Sequence, residues 1–276
     1  MYSPKEYWAE VAERYRSMDT SGLAPVLNPR APSWFNDATD YLQLRALQRA
    51  IAIAQVPPGA RFLDVGCGTG RWVRRYRELG FSPVGVDATE GMLRIARSHE
   101  TMSPMIVGLA YQLPLASEVF DSLSVITVIQ HIPYERHGET LREMVRVLKP
   151  GGRLILFELI QGASFHIFSR RPRDWIRQVE SCGATLIDYF GQEYFFLDRM
   201  LVRLMQILSK RRGKDASEAH IRPGGSGSTE ASLARRAYWG IRRLIVRFSV
   251  WIEPALVNSM PIRLATHAVF VFRKVG

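Results

Sequence analysis

The sequence predicts a doubly wound, mostly parallel α/β sheet, and three observations carry that expectation. Arg61–Val65 is a short run, apolar at its centre and entered from a Pro57-Pro58-Gly59 turn. It is followed by glycines at 66, 68 and 70 and then by the helical pattern opening at Trp72. A strand, a Gly-rich turn and a helix start in succession let backbone approach a bound ligand closely. Pro83–Asp87 is a second strand-like run whose last residue lies 21 positions after Gly66. An acid at that distance can receive the two hydroxyls of a ribose bound across a first βαβ unit. Asp121–Val128 is a third, apolar-rich run suited to a central parallel strand.

The loop narrows the choice of nucleotide. A dinucleotide fingerprint needs a third glycine where Arg71 stands, and no lysine follows as a phosphate-binding loop would require. Phe62–Gly70 (FLDVGCGTG) instead resembles the first motif of class I S-adenosylmethionine-dependent methyltransferases, of the methyltransferase type 11-like group. The resemblance implies that Asp64 precedes the loop as the motif's acid, and that Gly66, Cys67, Gly68 and Gly70 pack against the cofactor. It makes Asp87 the ribose acid and puts Ala88 and Met92 beside the adenine. Gly108–Leu115 is similar to the family's G-D-A-x-x-L-P-F segment, with Leu109 where many members carry an aspartate for the adenine amino group. Adenine recognition is then expected to lean on the backbone around Ala110 and Tyr111. Ile129–Pro133 looks like the fourth motif and sets Gln130 and His131 towards the methyl-transfer site, since ligands bind at the carboxyl ends of such strands. His131 is the first candidate for a general base or a positioning group, and His137 the second.

Composition sets the outer bounds. The 276 residues allow one large α/β domain with an appendage, and 47% hydrophobic content suits a buried core. Two cysteines far apart, Cys67 and Cys182, suggest no disulfide framework and a reducing cytoplasm. No apolar signal region or membrane-spanning stretch is expected, and no metal-ligand spacing appears. The net charge of +11 is local: residues 1–193 hold 22 Lys/Arg against 21 Asp/Glu, and residues 194–276 hold 15 against 5. A basic surface is expected in the C-terminal third.

The remaining elements follow in order. Residues 4–17 predict a helix with an aromatic face (Tyr7, Trp8, Val11, Tyr15), Trp8 and Tyr15 being candidates to close over the cofactor. Residues 24–35 predict an irregular loop and 37–55 an amphipathic helix. A helix over 138–148 stops at Lys149-Pro150-Gly151-Gly152, which resembles the family's L-K-P-G-G motif and leads into a strand over 153–158. Another helix at 172–182 and a strand at 183–190 complete the stretch, from about 40 to 190, that the resemblance covers. The family fold closes with an antiparallel strand, here 265–273, which would make a seven-stranded sheet.

About 75 residues intervene before that strand, too many for a structureless loop. Phe195–Arg212 and Leu233–Ile252 predict helices, with a spacer at 213–232 rich in Gly and Ser. On the second helix Arg235, Arg236, Arg242, Arg243 and Arg247 share one arc, opposite Leu233, Ala237, Ile241, Leu244, Phe248, Trp251 and Ile252. Two readings stay open: an interfacial helix on an anionic bilayer, or a cap packed on the core with a solvated arginine face.

The expected organisation is an N-terminal helical cap (1–55), a cofactor-binding core (56–193), a basic helical insertion (194–264) and the last strand (265–276). The expected function is S-adenosylmethionine-dependent methyl transfer to a small-molecule acceptor, an O-methylation of a lipid-, quinone- or glycan-type intermediate. Alternatives are an RNA methyltransferase, a soluble-metabolite methyltransferase with the insertion as cap, and a non-enzymatic cofactor-fold module. The expected location is cytoplasmic, with peripheral membrane contact through residues 233–252 and nucleic acid disfavoured as a partner.

Overall fold

The computed structural model describes residues 2–15, 27, 32–99, 102–192, 198, 200–204, 207, 229–257 and 260–276. A seven-stranded sheet runs in the order β3-β2-β1-β4-β5-β9-β8. Its strands are β1 (Arg61–Val65), β2 (Ser82–Asp87), β3 (Met105–Val107), β4 (Phe120–Ile126), β5 (Leu148–Leu159), β8 (Ala184–Gln192) and β9 (His267–Lys274). Neighbours from β3 to β5 pair in parallel, while β9 runs antiparallel to both β5 and β8. The chain therefore winds outward from β1 through β2 to β3, then returns to start again at β4. The carboxyl ends of β1 and β4 face each other across this reversal, where an open α/β sheet leaves a crevice.

Strand alternation divides the core between two faces. Leu63, Val65, Leu123, Val125, Leu154, Leu156, Phe270 and Phe272 pack on one side with Leu141 and Met144 of α5 (Tyr134–Val147) and Trp175 of α6 (Pro172–Glu180). Phe62, Ile155, Phe157, Val269 and Val271 pack on the other with Ala46, Leu47 and Ala50 of α2 (Ser33–Ala54) and Trp72 and Tyr76 of α3 (Arg71–Glu78). A further helix, α4 (Glu90–His99), borders β2 and β3, and α1 (Pro4–Tyr15) lies on it, close enough that a Cβ on Gly91 would come within 2.9 Å of the Ala12 methyl.

Several boundaries differ from the sequence reading. Trp34 and Phe35 belong to α2, because Pro32 stands at its N-cap instead of within a longer loop. Lys149–Gly152 is a bulge inside β5, not a separate turn: Phe120 pairs with Leu148 and Ser122 already with Arg153, with Gly151 at φ +74° between. A two-stranded hairpin, β6 (Ala163–Ser164) and β7 (Ile167–Phe168), was not expected at all. The last long helix, α7, spans Thr229–Leu256, so it takes in the final four residues of the expected 213–232 spacer. The rest of that spacer and most of the Phe195–Arg212 helix lie outside the described residues; 200–204 are helical.

The expected arginine arc of α7 divides. Arg242 turns inward, its Nε and Nη2 each 2.7 Å from a carboxylate oxygen of Asp198. Arg243 and Arg247 are exposed, and the side chains of Arg235 and Arg236 lie outside the described residues. Val246 and Ser249 are buried, Val246 against Leu42 of α2. The apolar arc, Ile241, Leu244, Phe248 and Trp251, which the cap reading would pack on the core, faces solvent.

Gly66 shows how tightly the β1 turn is built: at φ +72°, a Cβ there would lie 2.3 Å from Cγ2 of Val128, on the turn after β4. Gly66→Ala should therefore cost about 1–3 kcal/mol, the scale for a residue forced into left-handed backbone. Urea denaturation measures it; an unchanged midpoint would show that Val128 yields without cost.

Candidate functional site

The crevice between β1 and β4 opens into a cleft lined by the glycine loop, the end of β2 and the turn after β4. Its floor is the glycine loop. Gly66, Gly68 and Gly70 all have positive φ, and the amides of Gly66 and Cys67 both donate to the Val86 carbonyl, at 2.7 and 3.0 Å. The loop is thereby tied to β2, and a Cβ on Gly85 would sit 2.7 Å from Sγ of Cys67. Cys67 is a buried filler whose thiol pKa is raised by burial.

Asp87 closes the same corner. Its two carboxylate oxygens each accept one backbone N–H, from Gly68 at 2.9 Å and from Thr89 at 2.9 Å. A carboxylate has about four lone-pair directions, so the group is fixed while retaining acceptor capacity towards the cleft. Burial raises its pKa, and the two amide donors act against that rise. Ala88, Met92, Leu109, Ala110 and Tyr111 continue the wall on this side.

The opposite wall comes from the turn after β4, where Thr127, Val128, His131 and Ile132 line the cleft, and its geometry is imposed by Glu158. This β5 carboxylate is fully buried and accepts N–H bonds from Val128 (2.9 Å), Ile129 (2.8 Å) and Gln130 (3.0 Å). Gln130 answers by accepting the Leu159 amide at 2.9 Å. Burial pushes the Glu158 pKa up to about 7 despite the three donors. His131 follows, lining the cleft. Its Nδ1 lies 3.2 Å from the His166 carbonyl, so Nδ1 is the protonated nitrogen, and Nε2 lies 3.4 Å from Nε2 of Gln130. Burial lowers the His131 pKa to about 4.

A roof covers the cleft. Trp8 of α1 meets the His131 ring edge-on at 5.1 Å, and the Tyr2 hydroxyl donates to the His131 carbonyl at 3.1 Å. The β6–β7 hairpin supplies His166, stacked between Tyr7 (5.0 Å) and His131 (5.7 Å). Tyr15, the other residue expected in a roof, has its side chain outside the described residues.

Sequence reasoning missed the charged end of the cleft. Arg71, only 6% exposed, donates to Asp40 at 2.8 Å and Gln43 at 2.9 Å, while Arg75 also pairs with Asp40. Burial alone would raise the Asp40 pKa, but the two guanidiniums outweigh it and hold the carboxyl low. Arg71 and Lys5 both line the cleft. An arginine opening a helix after a glycine loop gives no sign that it is buried, because its partners lie 31 and 28 residues upstream.

Of the expected site residues, Gly66, Cys67, Gly68, Asp87, Ala88, Met92, Ala110, Tyr111 and His131 meet around the cleft. Four do not line it. Asp64 lies beneath the loop, accepting from Ser124 at 2.9 Å, with its pKa raised by burial to about 7. Gly70 backs onto Ala96 and Met105. Gln130 spends its amide on Leu159 and His131. His137 is fully buried, stacked on Trp175 at 5.2 Å, with Nε2 donating to the Ile132 carbonyl and Nδ1 accepting from Arg170. Both of its nitrogens are engaged, so a base role has no geometry to support it.

Comparison with known proteins bears on the family of the domain. Residues 63–156 match the family described as a methyltransferase domain. Over 140 residues the chain is 34% identical to a demethylmenaquinone methyltransferase of Renibacterium salmoninarum, covering 49% of this chain and 58% of that protein. Over 151 residues it is 33% identical to a malonyl-[acyl-carrier protein] O-methyltransferase of Serratia marcescens, covering 54% and 56%. The chain thus spans little more than half the length of these curated relatives. The fold is shared with the [4+2]-cyclase SpnF, at a TM-score of 0.55, 19% identity and coverage of 91% and 86%.

The titrations of this site can be checked. Folding depresses His131 and His137 to about 4, so the unfolded chain binds more protons between about 4 and 6.5. Both histidines therefore lower stability as pH falls through that window. Glu158, raised to about 7, opposes them by lowering stability as pH rises from about 4.5 to 7. Glu158→Gln should then gain stability with pH more steeply than the parent between pH 4.5 and 6.5, as read by urea titration. Ring resonances of His131 should stay constant down to pH 5, and a midpoint near 6.5 would contradict its burial.

Proposed function

We propose that this chain, which carries a class I S-adenosylmethionine-dependent methyltransferase domain, transfers a methyl group to an apolar, hydroxyl-bearing small molecule of lipid, quinone or glycan-intermediate type. The observation that carries the reading is the Asp87–Gly68–Thr89 arrangement above the glycine loop. It fixes an acceptor for a ribose diol beside backbone that a side chain would block. Bound there, S-adenosylmethionine would supply an electrophilic sulfonium methyl group. Ala88, Met92 and Leu109 then offer an apolar slot for the base, and Arg71 a buried cation for the cofactor's carboxylate end.

With the donor already activated, alignment and exclusion of water are the main work left to the protein. Glu158 holds the turn bearing His131, and Trp8 and the hairpin close the mouth. His131 suits positioning better than proton removal. It is neutral near pH 7, but a pKa near 4 makes it a weak base, and its acceptor nitrogen faces the Gln130 amide. The acceptor end is lined by Trp8, Trp72, Val128 and Ile132, with Lys5 as its exposed charge, which favours an apolar body over a sugar phosphate. Of the relatives' printed names, the quinone-type acceptor supports that class.

Titration calorimetry with S-adenosylmethionine and NAD tests the cofactor, and binding of NAD alone would refute it. Asp87→Ala should weaken the binding by about 1.5–3 kcal/mol, the scale for hydrogen bonds to a charged group. With radiolabelled donor, transfer is expected to a demethylated naphthoquinol in preference to malonyl-acyl carrier protein or a soluble catechol. His131→Ala should cost less than about tenfold in turnover with an unchanged pH profile; a loss of about 10²–10⁴-fold would make it the base.

A further inference from the structure

The last long helix turns the wrong side outward for a soluble cap. At about 100° per residue, Arg242, Val246, Ser249 and Glu253 share one narrow arc of α7, and that arc is the inward one. Ile241, Leu244, Phe248 and Trp251 form the opposite arc, 50%, 68%, 47% and 77% exposed. Trp251 and Phe248 lie beside each other, ring centroids 6.1 Å apart. Exposed Arg243 and Arg247 flank this arc, and Met200, Leu204 and Ile207 in the same insertion are each more than half exposed.

We infer that this face is a docking surface for an anionic lipid bilayer. Four large apolar side chains in one stripe gain little by facing water, so the stripe calls for an apolar partner. Arg243 and Arg247 call for an anionic one, and their stems can lie along the apolar stripe while the guanidiniums reach phosphates. Tryptophan and phenylalanine opposite a polar arc are the composition of a helix lying in the interface plane. A second copy of the chain fits less well. A two-fold seam would set Arg243 and Arg247 near their own copies, and in residues 238–253 of α7 the one acid, Glu253, is buried. No helix among the described residues is long and apolar enough to cross a membrane, so the stripe lies on the surface.

The orientation is fixed from inside. Arg242 is held by the bidentate Asp198 pair and by the rings of Phe35 and Trp239, at 5.6 and 5.1 Å. A charge so paired cannot rotate outward without leaving Asp198 buried and unpaired. The helix that α7 packs on, α2, supplies Asp40 and Gln43 to Arg71 at the cleft. The exposed arc contributes no residue to the lining of the cleft, so docking there would leave the cleft unoccupied.

The full chain should co-sediment at low salt with vesicles of phosphatidylcholine containing phosphatidylglycerol, and bind pure phosphatidylcholine vesicles poorly. Leu244→Gln, Phe248→Gln and Trp251→Gln together should reduce sedimentation at least tenfold. Arg243→Gln with Arg247→Gln should reduce it about fivefold per arginine and flatten its salt dependence. Since all five residues are exposed, both variants should keep the parent's urea midpoint and S-adenosylmethionine affinity. The surface does not depend on the methyl-transfer reading, so vesicle binding without cofactor binding would refute only the latter. Parent protein left in the supernatant at low salt would overturn the inference. So would sedimentation that the apolar triple variant does not alter. A parent dimer that this variant converts to monomer would assign the face to a second copy instead.

Discussion

Glu158 is the constraint on which the cleft depends. It sits at the end of β5, yet its carboxylate organises the turn after β4 by accepting three successive amides. Those N–H groups belong to a short 3-10 turn and have few other acceptors there. Removing the carboxylate would leave buried donors unpaired, each costing about 1–3 kcal/mol. The turn in turn sets Val128 against Gly66 and brings His131 to the hairpin. Two sheet strands, the glycine loop and the roof thus take their relative positions from one buried acid. Its raised pKa is the cost of that placement: burial disfavours the ionised form that the three amides favour.

A second buried acid acts on the insertion in the same way. Asp198 holds Arg242, and this pair rather than helix amphipathicity decides which face of α7 looks inward. Hydrophobic periodicity alone would turn Leu244 and Trp251 to the core. The paired arginine, with Val246 and Ser249 beside it, takes that side instead. Burial of a charge is tolerated because Nε and Nη2 both meet the carboxylate and aromatic rings lie against the guanidinium.

How much of this was legible depended on range. The first strand was readable to the residue, Arg61–Val65, because its limits are set by local signals: a Pro-Gly turn before and glycines after. The glycine loop and Asp87 were legible for the same reason. The β6–β7 hairpin was not, since two residues per strand carry no period. Arg71 and Glu158 were equally hidden, because their roles are defined by partners about 30 residues away. His137 misled in the opposite sense: its type suited catalysis, and only the Trp175 stack and the Arg170 contact reveal a structural histidine. On α7 the helical wheel grouped the apolar residues on one arc, but it could not foresee that Arg242 would part from Arg243 and Arg247 and pair inward with Asp198, a partner 44 residues upstream.

The charged end of the cleft follows from a count of neighbours. Arg71 and Arg75 share the single carboxylate of Asp40, which leaves one positive charge in excess at a site almost closed to water. Asp64 is the next acid, but burial moves its pKa to about 7, and its Oδ2 has no hydrogen-bond partner in the structure. It therefore offsets the excess only in part near neutral pH. A buried cation without a full counter-charge is costly unless a ligand completes it. The geometry thus favours a ligand whose anionic end reaches Arg71 while its neutral hydroxyls reach Asp87. An amino-acid carboxylate joined to a nucleoside satisfies both ends at once, whereas a dinucleotide would bring pyrophosphate to a loop whose third glycine position is occupied by Arg71 itself.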